Sequence, residues 1–149
     1  MERIKILFKR LDHGNDVQLP SYESSEAAGM DVRAAMESPM TIEPGGRELI
    51  PTGFQVALPR GYEAQIRPRS GLAYKKGITL LNSPGTIDSD YRGEVKILVI
   101  NHGSEPFTVS HGDRIAQMVI SPVHKADVLE ADKLPGTLRG EGGFGSTGV

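Results

Sequence analysis

The chain has 149 residues, 38% of them hydrophobic and 24% charged, a formal net charge of −2 at pH 7, no tryptophan and no cysteine. That length predicts one domain that buries ~68–70% of its unfolded surface. The acidic balance argues against a protein that wraps nucleic-acid polymers, and the missing cysteines exclude disulfides, thiolate metal sites and cysteine nucleophiles.

Met1–Arg10 interleaves charges with apolar residues, so no signal-peptide core is expected there. No apolar run approaches the ~20 residues of a membrane span. A soluble, cytoplasmic protein without a membrane partner is the expectation. Beyond it, 18 glycines and 10 prolines punctuate short β-type runs, and no long 3.6-residue period is present. Strands are predicted at Lys5–Arg10, Met40–Ile42, Glu48–Ala57, Glu63–Arg67, Val95–Asn101 and Arg114–Pro122. Val95–Ile100 is the most apolar run and reads as a central strand. One short helix is predicted near Gly71–Lys76, after the Arg69-Ser70 turn. The pattern is all-β, a sandwich or barrel, with residues 1–138 as one domain and 139–149 as a glycine-rich C-terminal arm. Modest hydrophobic content leaves room for subunit contacts to supplement the core.

Four internal segments carry more polar chemistry than a β-sandwich needs. In Ala28-Gly-Met-Asp-Val-Arg-Ala34, Asp31 sits among apolar residues, where a carboxylate is costly unless paired or near a cation. A strand-edge salt bridge explains it on its own. In Ile66-Arg-Pro-Arg-Ser-Gly-Leu72, Arg69, Ser70 and the Gly71 amide fit either an anion site or a capped turn. Ser70 is no nucleophile elbow, because Pro68 stands where glycine is required. The stretch Leu81–Glu94 reads as a hairpin-like connection. Its Asn82 suits a base edge, and either Asp88 or Asp90 could activate a water or cap an Asx turn. In Gly112–Met118, Gln117 suits phosphate or metal-bound water, against a plain structural role for Arg114 and Gln117. The four histidines lack ligand spacing and read as surface or turn residues.

The arm, Arg139-Gly-Glu-Gly-Gly-Phe-Gly-Ser-Thr-Gly148, holds five glycines. Such a segment is costly to order and is expected to be mobile alone. Its residue types also suit a nucleoside phosphate: bare amides and Ser146 and Thr147 hydroxyls for an anion, Arg139 as a fork, Phe144 to stack on a base. It spells G-x-G-x-x-G at Gly140, Gly142 and Gly145, and again at Gly143, Gly145 and Gly148. With no strand before and no helix after, the dinucleotide-binding reading fails.

Together the segments AGMD (28–31), RSGLA (69–73), GTIDSDYRGE (85–94), GDRIAQ (112–117) and RGEGGFGST (139–147) resemble the five ordered motifs of the trimeric deoxyuridine triphosphate nucleotidohydrolases, the dUTPases. The resemblance spans nearly the whole chain. It implies a jelly-roll-like β fold with one short helix and a flexible arm, and a homotrimer whose three active sites are shared between subunits. It also implies Mg²⁺-assisted hydrolysis of dUTP to dUMP and pyrophosphate, limiting uracil incorporation into DNA and supplying dUMP for thymidylate synthesis. Asp88 matches the water-activating carboxylate, and Asp90 does not. Tyr91 matches the tyrosine that packs under deoxyribose. Asn82 and the backbone of Thr86, Ile87 and Asp88 match the uracil slot, with Lys96 a weaker member. Arg69, Ser70, Gly71 and Gln117 match phosphate-contacting positions. Asp31 matches a carboxylate that supports the metal region indirectly, the ion being held mainly by the triphosphate. Arg139, Phe144, Gly145, Ser146 and Thr147 match the arm that covers the nucleotide. The rival readings are a dCTP deaminase of the same fold and a non-catalytic dUTP-binding regulatory protein.

Overall fold

A computed structural model describes residues 3–148. Eleven strands account for most of the regular structure: β1 (Leu7–Arg10), β2 (Gly29–Arg33), β3 (Met40–Ile42), β4 (Arg47–Pro51), β5 (Phe54–Ala57), β6 (Tyr62–Arg67), β7 (Ile78–Leu80), β8 (Gly85–Ile87), β9 (Lys96–Asn101), β10 (Phe107–Val109) and β11 (Arg114–Pro122). One helix, α1 (Ser70–Lys76), follows β6, and a 3₁₀ turn covers Asp12–Gly14. The expected all-β, jelly-roll-like sandwich with one short helix is what forms.

Two larger sheets, ordered β2-β11-β6-β8 and β4-β9-β7, are joined by the pairs β1-β5 and β10-β3, all antiparallel. Strands alternate as the period of two requires: in β2, Met30 and Val32 point inward while Gly29, Asp31 and Arg33 do not. The core gathers Ile42, Ile50, Ile97, Val99, Val109 and Met118, each no more than 1% exposed. Phe8 and Phe54 close its end edge-to-face, with ring centroids 5.3 Å apart. Val95–Ile100 indeed supplies a central strand, since β9 lies between β4 and β7.

The predicted single strand Glu48–Ala57 is two strands, β4 and β5. Gly53, at φ 71°, turns the chain between them, and β5 leaves the sheet of β4 to pair with β1. Four strands had no sequence prediction: β2, β7, β8 and β10. Helix α1 begins one residue earlier than predicted, with Arg69 as its extended N-cap. It ends at Gly77, φ 68°, whose amide bonds the carbonyls of Leu72 and Ala73.

Candidate active site

A cavity of about 550 Å³ lies between the β8 hairpin and the start of β9. Its walls include the apolar side chains Leu49, Ile66, Leu80, Ile87, Val95 and Ile97. Five of these six are no more than 8% exposed, so the pocket stands on the packed core rather than on a loop. Its polar members are Asn82, Thr86, Asp88, Tyr91, Glu94 and Lys96. Asn82, Thr86, Ile87, Asp88, Tyr91 and Lys96, the residues expected to receive base and sugar, are therefore brought together.

β8 makes this possible. It is the end strand of its sheet, so one edge of its backbone has no neighbouring strand to bond. Gly85–Asp88 line the cavity and offer it peptide groups. Of the two aspartates the sequence left open, Asp88 lines the cavity and Asp90 does not. Asp88 is exposed, and its backbone carbonyl accepts the Tyr91 amide at 3.2 Å, which turns the chain toward β9. Among the described residues its carboxylate has no hydrogen-bond or ion-pair partner. Apart from Ile87, the apolar walls and one polar residue carry no signal of the site in the sequence: that residue, Glu94, lines the pocket and accepts the Gly53 amide.

A second polar group forms where β2, β11 and the end of β6 lie side by side. The register sets Asp31 opposite Gln117 and Gln117 opposite Arg67. Asp31, its side chain 15% exposed, takes Arg69 Nε at 3.3 Å on one oxygen and Arg114 Nη1 at 3.2 Å on the other. The strand-edge salt bridge expected for Asp31 is thus present, made twice. Arg69 also donates to the Arg114 carbonyl at 3.2 Å, and Gln117 donates to the Pro68 carbonyl at 3.0 Å. Gln117 lies so close over β2 that a Cβ on Gly29 would meet its Oε1 at 2.2 Å. Ser70 and Gly71 are exposed at the start of α1.

The two groups stand apart. Ile66, a wall of the cavity paired with Gly85, lies three residues before Arg69, about 10 Å along an extended chain. None of Arg69, Ser70, Gly71 or Gln117 lines the cavity. Nor does any arm residue: the hydrogen bonds of Arg139–Gly148 all reach three residues at most, such as Arg139 Nε to the Gly142 carbonyl at 2.7 Å. Phe144 is fully exposed at φ 50°. Among the described residues no cluster of three or more His, Asp or Glu could hold a metal ion, and no helix is long and apolar enough to cross a membrane. All four histidines are exposed as expected, yet two have defined partners: His13 meets Glu94, while His111 lies 2.9 Å from Asp16 on one ring nitrogen and 2.9 Å from the Met36 amide on the other.

A family model described as dUTPase matches residues 15–148. The chain belongs to the dUTPase family. A deoxyuridine 5'-triphosphate nucleotidohydrolase of Rhizobium rhizogenes is 61% identical over 142 residues, covering 94% of this chain and 91% of that protein. Among solved dUTPase structures, that of Staphylococcus bacteriophage 80alpha with dUPNHPP is 25% identical at TM-score 0.86, covering 97% of this chain and 99% of that one. A mutant dUTPase from phage phi11 of S. aureus, which coordinates a structural Mg(II) ion, is 21% identical at TM-score 0.77 over 87% of this chain and 98% of that one.

Proposed function

We propose that this dUTPase hydrolyses dUTP to dUMP and pyrophosphate, with Asp88 orienting and deprotonating the water that attacks the α-phosphorus in line. The observation that carries the proposal is the cavity in which Asn82, the open backbone edge of β8, Asp88 and Tyr91 converge over a floor of packed core. Asn82 and the β8 peptides are the donors and acceptors for uracil. Cytosine would leave them unpaired, a mismatch that can discriminate by ~10⁴–10⁵. The exposed Asp88 carboxylate, without a protein partner, is available to take a proton from water. Tyr91 packs beneath the deoxyribose. Such an activity removes dUTP as a source of uracil in DNA and supplies dUMP for thymidylate synthesis, in the cytoplasm.

Arg69, Ser70, Gly71 and Gln117 meet the phosphates, with Arg139, Ser146 and Thr147 of the arm, while Phe144 covers the base. None of these groups lines the cavity of its own chain, which supports an active site shared between the subunits of a homotrimer. The segment between β11 and the arm supports this: Val128, Leu129, Leu134 and Leu138 are 84–110% exposed, apolar surface that a neighbouring copy would cover. Magnesium fits as an ion carried mainly by the triphosphate, since no three-carboxylate cluster exists among the described residues and Asp31 is engaged by two arginines. Bound there, Mg²⁺ supplies charge neutralisation at the phosphate oxygens. Asp31 acts on that region indirectly, through Arg69 or a water.

The test is pyrophosphate release from dUTP with magnesium, run beside dCTP with ammonia as the readout. Release from dUTP alone is the expected result. Ammonia from dCTP would favour the deaminase reading, and binding of dUTP without turnover a regulatory one.

A further inference from the structure

Tyr91 stands on an unusually constrained footing. Its hydroxyl donates to the Glu94 carbonyl at 2.9 Å. Its ring lies against Gly93 so closely that a Cβ there would meet Oη at 2.3 Å and Cζ at 2.6 Å. Only a glycine admits the ring in this position. The tyrosine, 44% exposed, is thus tied through its hydroxyl to the backbone of residues 93–94, so its position follows that backbone.

That backbone is held from outside its own sheet. The Glu94 side chain, 13% exposed, accepts the Gly53 amide at 3.1 Å and pairs with His13 on the same oxygen, while Lys96 Nζ stands 4.0 Å from the other. Beside it, the Val95 amide bonds the Phe54 carbonyl at 2.9 Å, and Gln55 donates to the Arg92 carbonyl at 2.6 Å. His13 and Gly53 reach Glu94 because the two turns cross at bare glycines: a Cβ on Gly14 would lie 2.4 Å from the Gly53 carbonyl oxygen. The 3₁₀ turn and the β4-β5 turn therefore form a buttress behind the cavity.

We propose that Glu94 is a positioning residue for sugar selection: clamped by Gly53 and His13, it fixes the carbonyl that holds Tyr91, and so the discrimination between deoxyribose and ribose. The inference rests on the reading of Tyr91 as the surface under the sugar. A 2′-hydroxyl is excluded by a ring that does not yield. Loosening the Glu94 clamp lets the ring move without removing it.

The experiment compares kcat/KM for dUTP and UTP, with magnesium, in the intact protein and in the Glu94→Ala, Glu94→Gln and Gly93→Ala variants. Glu94→Ala should lower the dUTP/UTP ratio about tenfold, the scale of one lost charge-assisted hydrogen bond. The change should fall on KM more than on kcat, because Asp88 is untouched. Glu94→Gln keeps an acceptor for the Gly53 amide and should restore most of the ratio. Gly93→Ala should lower it with the clamp intact, by displacing the ring. NMR of the protein with ring-labelled tyrosine reads Tyr91 independently of turnover: its resonances should shift in Glu94→Ala. An unchanged ratio in Glu94→Ala, or unmoved Tyr91 resonances, would overturn the inference. A native protein that fails on dUTP would instead overturn the activity itself, and the NMR result would still decide the clamp.

Discussion

Asp31→Ala tests whether three separate sequence motifs form one energetic unit. The carboxylate holds Arg69 at 3.3 Å and Arg114 at 3.2 Å, with side-chain exposures of 15% for Asp31, 27% for Arg69 and 43% for Arg114. Both pairs are partly solvated, so each is worth about 0.5–1 kcal/mol and the two together about 1–2 kcal/mol. For a chain of this size that loss lowers the melting temperature by about 2–8 °C. Asp31→Asn keeps one acceptor oxygen and should cost roughly half as much. Function should suffer as well. Arg69 carries ~2 kcal/mol of rotamer entropy, and its two present bonds restrain it before substrate arrives. Releasing about half of that restraint weakens transition-state binding by ~1 kcal/mol, roughly fivefold in kcat/KM for dUTP. The assays are thermal unfolding and steady-state pyrophosphate release, both at low ionic strength. An Asp31→Ala protein that melts within about 1 °C of the parent and keeps its kcat/KM would refute the reasoning, since the pairs would then contribute to neither stability nor pre-organisation.

Asp88→Asn should nearly abolish pyrophosphate release while nucleotide binding, read by calorimetry with a non-hydrolysable analogue, is largely retained; hydrolysis near the parent rate would show that Asp88 is not the base. Removing residues 139–149 should collapse activity but leave the melting temperature almost unchanged, because the arm's hydrogen bonds are all local. An unimpaired truncated enzyme would make the arm a passive tail. Met118→Ala, at a fully buried site in the centre of β11, should cost about 2–5 kcal/mol in denaturant unfolding. Sedimentation should show a trimer, and a monomer at working concentrations would end the shared-site proposal.

Most elements legible in the sequence have enough residues to display a period; β3, with three, is the exception. β9 and β11, of six and nine residues, were read nearly to their ends. β7, β8 and β10, of three residues each, are too short to show an alternation. β2 does alternate, but with Gly29, Asp31 and Arg33 on its outer face only Met30 and Val32 mark the pattern. The break between β4 and β5 was hidden because Leu49, Ile50, Phe54 and Val56 keep an apolar character across it. Gly53 was the available signal, and a single glycine inside a strand pattern also fits a bulge. Within the site, Asn82, Thr86, Ile87, Asp88 and Tyr91 share one short segment, so local motif reading could group them. The contact of Glu94 with Gly53 and His13 spans 41 and 81 residues. No local pattern encodes such a pairing, which exists only once the turns cross at Gly14 and Gly53.

The proposed division of labour follows from what each part of the nucleotide demands. A base is told from its near neighbours by unpaired donors and acceptors, so its pocket must keep its shape before the ligand arrives. Here that shape is drawn from the core: Ile66, Ile87, Val95 and Ile97 serve both cavity and sandwich. Its outer wall, the Tyr91 turn, leaves the sheet and needs the separate buttress of Glu94, Gly53 and His13. Phosphates make a weaker demand, because charge is recognised over longer distances and looser geometry. In the proposed site they are met by Arg69, restrained by Asp31, and by a glycine-rich arm whose present hydrogen bonds are all local. Ordering the arm in advance would improve affinity but slow the release of product from beneath it. A rigid base pocket and an unrestrained arm are then two consequences of one requirement: to select strictly on the base while still turning over.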